Sequence, residues 1–257
     1  MPAVAALLER RPAMLALKRA LPRNSFRCLV ARSPSHLASL LSRHLIDTVI
    51  VGGEAARGPV LEALRRDFPA LPVLLYAPLR SDDAEWLERL HRARGVRLAI
   101  EGVDEPVLPR LVSRQSLTAR RLADLEPLAA QLDLADPLQL KAWRLVIAEA
   151  PRGLTTAAVA RRCKLARETV SRRFAAGGAP SLKRAIDAVR LVAAGQLLAN
   201  PGYRVADAAR LLGFSSVSLL QQTARRTLGV SARQAATLHG ERLAERLKAD
   251  QDWPAWR

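Results

Sequence analysis

The sequence predicts a small parallel α/β domain of about four strands, followed by an all-α domain that contains the same pair of short helices twice. Three observations support this class. Short apolar runs alternate with amphipathic stretches in the first half of the chain, strand patterns end near residue 136, and most of the basic excess lies beyond that point. The length of 257 residues is sufficient for two domains that each bury a core.

The first half alternates strand-like and helix-like segments. Residues 1–23 are basic and rich in Ala and Leu, and we interpret them as an N-terminal helical extension. Residues 24–115 contain the apolar runs FRCLVA, DTVIVGG, PVLLYAP and VRLAIEG, separated by amphipathic stretches. This alternation predicts a parallel sheet covered by helices. Regularly spaced leucines in residues 116–135 predict a helical connector, which either links the two halves or pairs with a second copy.

The ends of the predicted strands, where a parallel α/β unit places its sites, carry few groups for chemistry. The order of elements and the segments IDTVIVGG and VRLAIEGVDEPVL resemble the receiver domain of response regulators. A receiver needs acidic residues after its first strand, an aspartate that accepts phosphate, and later a Ser or Thr and a lysine. The corresponding positions here hold Ala31 and Arg32, Gly52, Tyr76 or Ala77, and Glu101. The resemblance therefore implies a degenerate, receiver-like regulatory domain that is not phosphorylated on aspartate.

Other signs of enzyme chemistry are weak. The four histidines lack metal-ligand spacing, no Ser–His–acid set can be assembled, and the glycines at 52, 53 and 58 fit neither nucleotide-binding pattern. We expect no catalytic residue, no metal, no cofactor and no enzymatic activity. Cys28 and Cys163 are expected to be free thiols. No run approaches the ~18 apolar residues of a membrane span, so a cytoplasmic, nucleoid-associated protein without membrane contact is expected.

The net charge of +17 indicates a polyanionic partner. Residues 137–257 contain 21 Lys and Arg against 8 Asp and Glu, whereas residues 1–136 contain 20 against 16. Arginine carries nearly all of the excess, and its guanidinium group binds phosphate and guanine in bidentate geometry. Double-stranded DNA is the expected partner. A homodimer, formed through the α/β domain or the connector, and a contact with RNA polymerase are further expectations.

Residues 136–240 predict a helix-turn-helix unit twice. In TTAAVARRCKLARETVSRRF, Thr155 or Thr156 caps a short helix, a turn follows at 164–166, and a second helix starts near Arg167. A long helix at 182–199 leads to the second unit, VADAARLLGFSSVSLLQQTARRTLGVS, about 50 residues after the first. The second helix of such a unit can enter the major groove of DNA. Residues 241–257 are interpreted as a C-terminal tail.

The basic region is similar to the DNA-binding domain of AraC/XylS-type regulators, in which a linker helix joins two helix-turn-helix units. The matching residues are Ala206, Ala209, Gly213, Phe214, Arg225, Arg226, Gly229 and Ser231, with Ser181, Ile186, Arg190 and Leu191 in the linker. The chain departs from the family at Leu220, Ala224, Leu228 and Ala185, where aromatic residues are usual, and at Ala232, where proline is usual. The resemblance implies a transcriptional regulator.

Helical spacing separates a buried from an exposed face in each second helix. The exposed face suits base edges, because Gln bonds adenine and Arg bonds guanine bidentately, while Glu accepts from cytosine. The residues expected to contact bases are Arg167, Glu168, Ser171, Arg172, Val217, Ser218, Gln221, Gln222 and Arg225. Those expected to contact phosphates are Arg162, Arg173 and Arg226.

These patterns predict a sequence-specific regulator whose two units enter successive major grooves. Two alternatives explain parts of the same pattern. A nonspecific nucleoid-type protein would need the charge but not two ordered reading helices. A nucleotide- or ligand-binding α/β protein would use the basic half only as a docking domain.

Overall fold

The computed structural model describes residues 1–91, 96–238 and 240–248. Their contacts divide the chain into two compact units. The first, called the α/β unit here, comprises Met1–Arg120 with Asn200–Tyr203. The second, called the helical unit, comprises Arg121–Ala199 and the described residues from Arg204 onward. In the described part of the chain, no helix combines the length and apolar character needed to cross a membrane.

The α/β unit is built on a five-stranded parallel sheet in the order β2-β1-β3-β4-β5. The strands are β1 (Ala3–Leu7), β2 (Arg27–Ala31), β3 (Thr48–Gly52), β4 (Val73–Ala77) and β5 (Val96–Ile100). The helices are α1 (Arg11–Ala20), α2 (Pro34–Arg43), α3 (Pro59–Asp67), α4 (Ala84–His91), α5 (Leu108–Gln115) and α6 (Leu117–Leu125). This is the flavodoxin-like, doubly wound strand order, which confirms the parallel α/β class and its receiver-like character.

The start of the sheet differs from the prediction. Residues 1–23 form strand β1 and helix α1, so they are not only a helical extension, and the sheet has five strands instead of about four. All five residues of β1 are buried between β2 and β3. Its alternate residues join the cores on opposite faces of the sheet, Ala5 on one face and Val4 on the other. This central position overrides the low strand propensity of its alanines.

The helical unit contains α7 (Pro137–Glu149), α8 (Thr156–Cys163), α9 (Arg167–Phe174), α10 (Leu182–Leu198), α11 (Val205–Leu211), α12 (Val217–Leu228) and α13 (Gly240–Lys248). Its described residues include no strand. Helix α10 is the centre of the core, since 13 of its 17 residues are buried. A Cβ at Gly195 would lie 2.3 Å from the backbone nitrogen of Ala236. Glycine therefore permits the short helix Gln234–Thr237 to pack directly on α10. The expected C-terminal tail begins with α13, and residues 249–257 lie outside the described residues.

The connector is shorter than predicted as a helix. Residues 116–135 form α6 and a 3-10 turn at Glu126–Ala129. Four of its five regularly spaced leucines are buried within the chain, at positions 117, 125, 128 and 132. Little of the apolar surface expected to pair two connectors is therefore accessible.

Candidate DNA interface

The first helix pair, α8 and α9, is defined by a cap and a tight turn. The Thr155 hydroxyl accepts a hydrogen bond from the N–H of Ala158 at 3.2 Å and so caps α8. Lys164 follows α8 in the left-handed conformation, at φ 56°. The N–H of Leu165 then reaches back to the carbonyl of Ala160 at 3.1 Å. This closure lets α9 start three residues after α8 ends.

The second helix pair, α11 and α12, repeats the turn. Gly213 takes the left-handed conformation at φ 72°, and the N–H of Phe214 donates to the carbonyl of Ala209 at 2.8 Å. Counted from the left-handed residue, the second helix begins one position later in this pair, at Val217, than in the first pair, at Arg167. The extra residue places Ser216 at the N-cap, where its hydroxyl accepts from the N–H of Leu219 at 3.0 Å.

A buried amide of α7 holds the first pair. The side-chain nitrogen of Gln139 donates to the carbonyls of Phe174 and Ala176, both at 3.1 Å, at the end of α9. Its oxygen accepts from the N–H groups of Ala135 and Asp136 at 3.0 and 2.9 Å. Four backbone groups therefore depend on one neutral side chain, which is 4% exposed.

A half-buried guanidinium of α10 holds the second pair. Arg190 donates to the carbonyl of Leu212 at 2.7 Å, and its guanidinium carbon lies 4.1 Å from the centre of the Phe214 ring. This geometry joins α10 to the turn between α11 and α12 by a charge-assisted hydrogen bond and a cation–π contact. Burial lowers the pKa of Arg190, while the nearby Asp187 carboxylate opposes that shift.

The Asp187 carboxylate of α10 lies near three basic side chains. Its side chain is 5% exposed and accepts from Lys183, one turn earlier. Guanidinium nitrogens of Arg190 and Arg226 each lie 3.9 Å from its carboxylate oxygens. The buried carboxylate therefore has three cations around it, of which Lys183 donates a hydrogen bond. Arg226, which was expected on phosphate, thus lies beside an acid of α10.

The residues expected to read bases lie mainly on the exposed faces of α9 and α12. In α9, Arg167, Glu168 and Arg172 are exposed, and Ser171 is half-buried. In α12, the exposed members are Val217, Ser218, Gln222 and Arg225. Their outward position agrees with the helical spacing used to select them.

Gln221 differs from its neighbour Gln222. It is half-buried, and its side-chain oxygen accepts a hydrogen bond from the N–H of Ala232 at 3.3 Å. The side chain of Gln222 is exposed and has no hydrogen-bond partner among the described residues. Gln222 is therefore the freer of the two amides to contact a base.

The arginines expected on phosphates each lie near an acid. Arg162 donates to Glu149 at 2.6 Å, and Arg173 donates to Asp136 at 2.7 Å. The bond from Arg173 lowers the pKa of the Asp136 carboxyl. These cations are held at the surface, and a phosphate oxygen would have to compete with a carboxylate for them.

Comparison with known proteins identifies a family domain within the helical unit. The family described as a helix-turn-helix domain matches residues 159–237, a span that includes α9 through α12. Residues 159–237 form an AraC-type helix-turn-helix domain. No curated protein matches the chain. A solved structure, full-length FixJ from B. japonicum, is 12% identical, with a TM-score of 0.40, over 90% of this chain and 98% of its own.

The AraC-type domain makes the chain a DNA-binding transcriptional regulator. Residues that carried the resemblance have visible structural tasks. Gly213 and Gly229 take left-handed conformations at φ 72° and 68°, and Ser181 caps α10 by accepting from the N–H of Arg184. The departures from the family are all buried, at positions 185, 220, 224, 228 and 232, so smaller side chains fill these core positions.

Three residues of the helical unit were not predicted to have these roles. Gln139 and Arg190 act through tertiary contacts, which helical spacing does not reveal, although Arg190 was noted as a family match. Leu219 is 41% exposed on α12, outside the buried stripe of that helix. The spacing alone could have identified it, because an apolar residue there has no place in the core.

The strand ends of the α/β unit require one correction. Ala31 and Arg32 were expected after the first strand, but they follow β2, because the first strand is β1. Glu9 lies just beyond β1, so an acid is present at this edge. Its carboxylate accepts from the N–H of Ala55 at 2.9 Å in the turn that follows β3.

The position that accepts phosphate in receivers is closed here. A Cβ at Gly52 would lie 2.5 Å from a methyl carbon of Leu8 and 2.7 Å from the carbonyl oxygen of Tyr76. An aspartate would not fit without movement of β1 or β4. Among the described residues, no group of three or more His, Cys, Asp or Glu side chains is arranged to hold a metal ion.

Proposed function

We propose that this protein is a sequence-specific transcriptional regulator in which both helix pairs read DNA, with α9 and α12 in successive major grooves. The observation that carries the proposal is that the side chains expected on bases and those expected on phosphates lie in different surroundings. Most side chains expected on bases are exposed, whereas the arginines expected on phosphates lie beside acids. Phosphate contacts position a protein on DNA, and base contacts specify the sequence.

The nonspecific alternative explains the charge but not the composition of α12. Val217, Ser218 and Gln222 are exposed and uncharged. Neutral side chains add nothing to phosphate neutralisation, which dominates nonspecific binding. Their presence on the exposed face favours base readout.

The nucleotide-binding alternative meets an electrostatic obstacle. The turn after β3 would be the natural cradle for a phosphate, because it offers backbone N–H groups and glycines. The carboxylate of Glu9 already bonds the N–H of Ala55 there. A second anion at this turn would be repelled.

A footprint on a site selected from random DNA tests the proposal. Two short protected blocks about 34 Å apart are expected, because one helical turn separates successive major grooves on one face of the duplex. Arg172→Ala should weaken the first block and Gln222→Ala the second. Protection of a single block at saturation would contradict two reading pairs. Equal affinity for selected and random DNA would instead support the nonspecific alternative.

Homodimer formation through the α/β unit and contact with RNA polymerase stay predictions from the sequence. Sedimentation of the full chain, free and bound to the selected site, measures the first. A pull-down of RNA polymerase on the same DNA measures the second.

A further inference from the structure

The first turn of α12 exposes two large apolar side chains. Val217 and Leu219 are 40% and 41% exposed, on either side of Ser218. The buried side of the helix consists of Leu220, Thr223, Ala224, Thr227 and Leu228. At 3.6 residues per turn, Val217 and Leu219 lie on opposite flanks of the outward face, which centres on Ser218 and Gln222. Neither side chain contributes its full apolar surface to the core.

The surroundings of this pair are basic. Arg225 and Arg226 are exposed further along the same helix. A surface that combines apolar side chains with nearby guanidinium groups suits a polyanion that carries small apolar groups. The major groove of DNA meets both requirements, since phosphates line it and the 5-methyl group of thymine projects into it.

We propose that at least one of Val217 and Leu219, each from its own flank of α12, contacts the 5-methyl group of a pyrimidine, either thymine or 5-methylcytosine, in the groove bound by α12. The proposal rests on the proposed function, because it requires α12 to enter a major groove. It goes further by assigning a base chemistry to residues that cannot form hydrogen bonds through their side chains. Removal of an apolar surface from water supplies the attraction.

The first helix pair provides an internal contrast. The positions of α9 that correspond to Val217, Ser218 and Leu219 hold Arg167, Glu168 and Thr169. None of these three side chains is an aliphatic one of comparable size, and Val170, which completes the turn, is buried. Methyl recognition should therefore be confined to the block that α12 binds.

The test replaces thymines by uracil, one position at a time, in a site selected from random DNA by the full-length protein. Uracil lacks only the 5-methyl group. At one or more positions in the α12 block, uracil should lower affinity about fourfold for each methyl group that becomes buried. Uracil in the α9 block should change affinity less than twofold. Replacing the sensitive pair by a 5-methylcytosine·guanine or a cytosine·guanine pair shows whether the methyl is also recognised on cytosine.

Variants then connect the methyl group to the side chains. In Val217→Ala and Leu219→Ala the new alanine favours the helix, so α12 should still form. At least one of the two variants should bind thymine and uracil sites with equal affinity. Leu140→Ala is the matched control, because Leu140 is 39% exposed and lies on α7, outside both helix pairs. It should retain the full preference for thymine.

The possible outcomes distinguish a failure of methyl recognition from a failure of the proposed function. A selected two-block site that binds equally well with uracil overturns methyl recognition and leaves the proposed function intact. A thymine preference that survives both α12 variants, or that lies in the α9 block, also overturns it. Failure to select any site removes the proposed function and this inference together.

Discussion

The two helix pairs share a backbone design but differ in the chemistry that holds and equips them. In each pair an N–H just beyond the first helix bonds a carbonyl near the end of that helix, from Leu165 to Ala160 and from Phe214 to Ala209. This shared closure sets the turn between the helices. The turn therefore depends on backbone geometry, which different side chains can satisfy.

The anchors of the two pairs act at different places. Gln139 binds the end of α9 through a neutral amide, whereas Arg190 binds the turn before α12 through a half-buried cation. The exposed faces also differ, since α9 is largely charged and α12 is largely neutral. The two pairs thus share a backbone arrangement but differ in their anchors and in the chemistry of their exposed faces.

Loss of an anchor should produce the largest effect. Arg190→Ala removes the donor to the Leu212 carbonyl and the contact with the Phe214 ring. We expect the free energy of unfolding of the helical unit to fall by about 2–4 kcal/mol. Gln139→Ala should cost a similar amount, because four backbone groups lose their partner. Urea unfolding followed by circular dichroism measures both.

Footprinting of the two anchor variants distinguishes them. Arg190→Ala should weaken the block of the second pair more than that of the first, and Gln139→Ala should do the reverse. Arg190→Lys retains a cationic donor and should recover part of the loss. Equal weakening of both blocks by both variants would show that the pairs are not held independently.

Reading and holding should separate within α12. Gln222→Ala should cost roughly 1–3 kcal/mol on the selected site and much less on random DNA, because an amide reads a base but neutralises no phosphate. The slope of log K against log salt should stay unchanged. Gln221→Ala should cost less, since its oxygen already bonds the N–H of Ala232.

Arg226→Ala should show the opposite behaviour to Gln222→Ala. Affinities for selected and random DNA should fall together, and the salt slope should shrink by about one. Titrations of each variant on both DNAs at several salt concentrations provide the measurement. An unchanged specificity ratio in Gln222→Ala would mean that this amide does not read sequence.

The sequence predicted local features of the molecule more accurately than those that depend on distant contacts. Four strands and a cap at Thr155, one of the two predicted candidates, follow from apolar runs and capping residues, and they are present in the structure. Strand β1 was missed because its alanines favour a helix, and only its place between β2 and β3 makes it a strand. The outward positions on α12 followed from helical spacing. The role of Gln139 did not, since its partners lie 35 and 37 residues away.

The N-caps of α9 and α12 offer a smaller test of the comparison. Ser216 caps α12 through its hydroxyl, whereas Ala166 at the N-cap of α9 has no side-chain acceptor. Ser216→Ala should cost about 1 kcal/mol of unfolding free energy, and Ala166→Ser should recover part of that amount in the first pair. Thermal unfolding of the two single variants and the double variant measures this exchange. If Ser216→Ala leaves the free energy of unfolding unchanged, packing alone fixes the start of α12.

The smallest expected effect concerns the residue at the centre of each turn. Lys164 and Gly213 occupy equivalent places, with φ of 56° and 72°. A side chain in this region strains the backbone by roughly 1 kcal/mol, whereas glycine adopts it freely. Lys164→Gly should therefore stabilise the first pair, but by only about 0.5 kcal/mol, because glycine also increases the entropy of the unfolded chain. Gly213→Ala should destabilise the second pair, and the cause would be strain alone, since its Cβ would come no closer than 3.9 Å to Arg190. Lys164→Ala is the control that removes the charge and retains the strain, so it should leave stability nearly unchanged in urea unfolding. If Lys164→Ala stabilises as much as Lys164→Gly, charge repulsion and not backbone conformation is the cost at this turn.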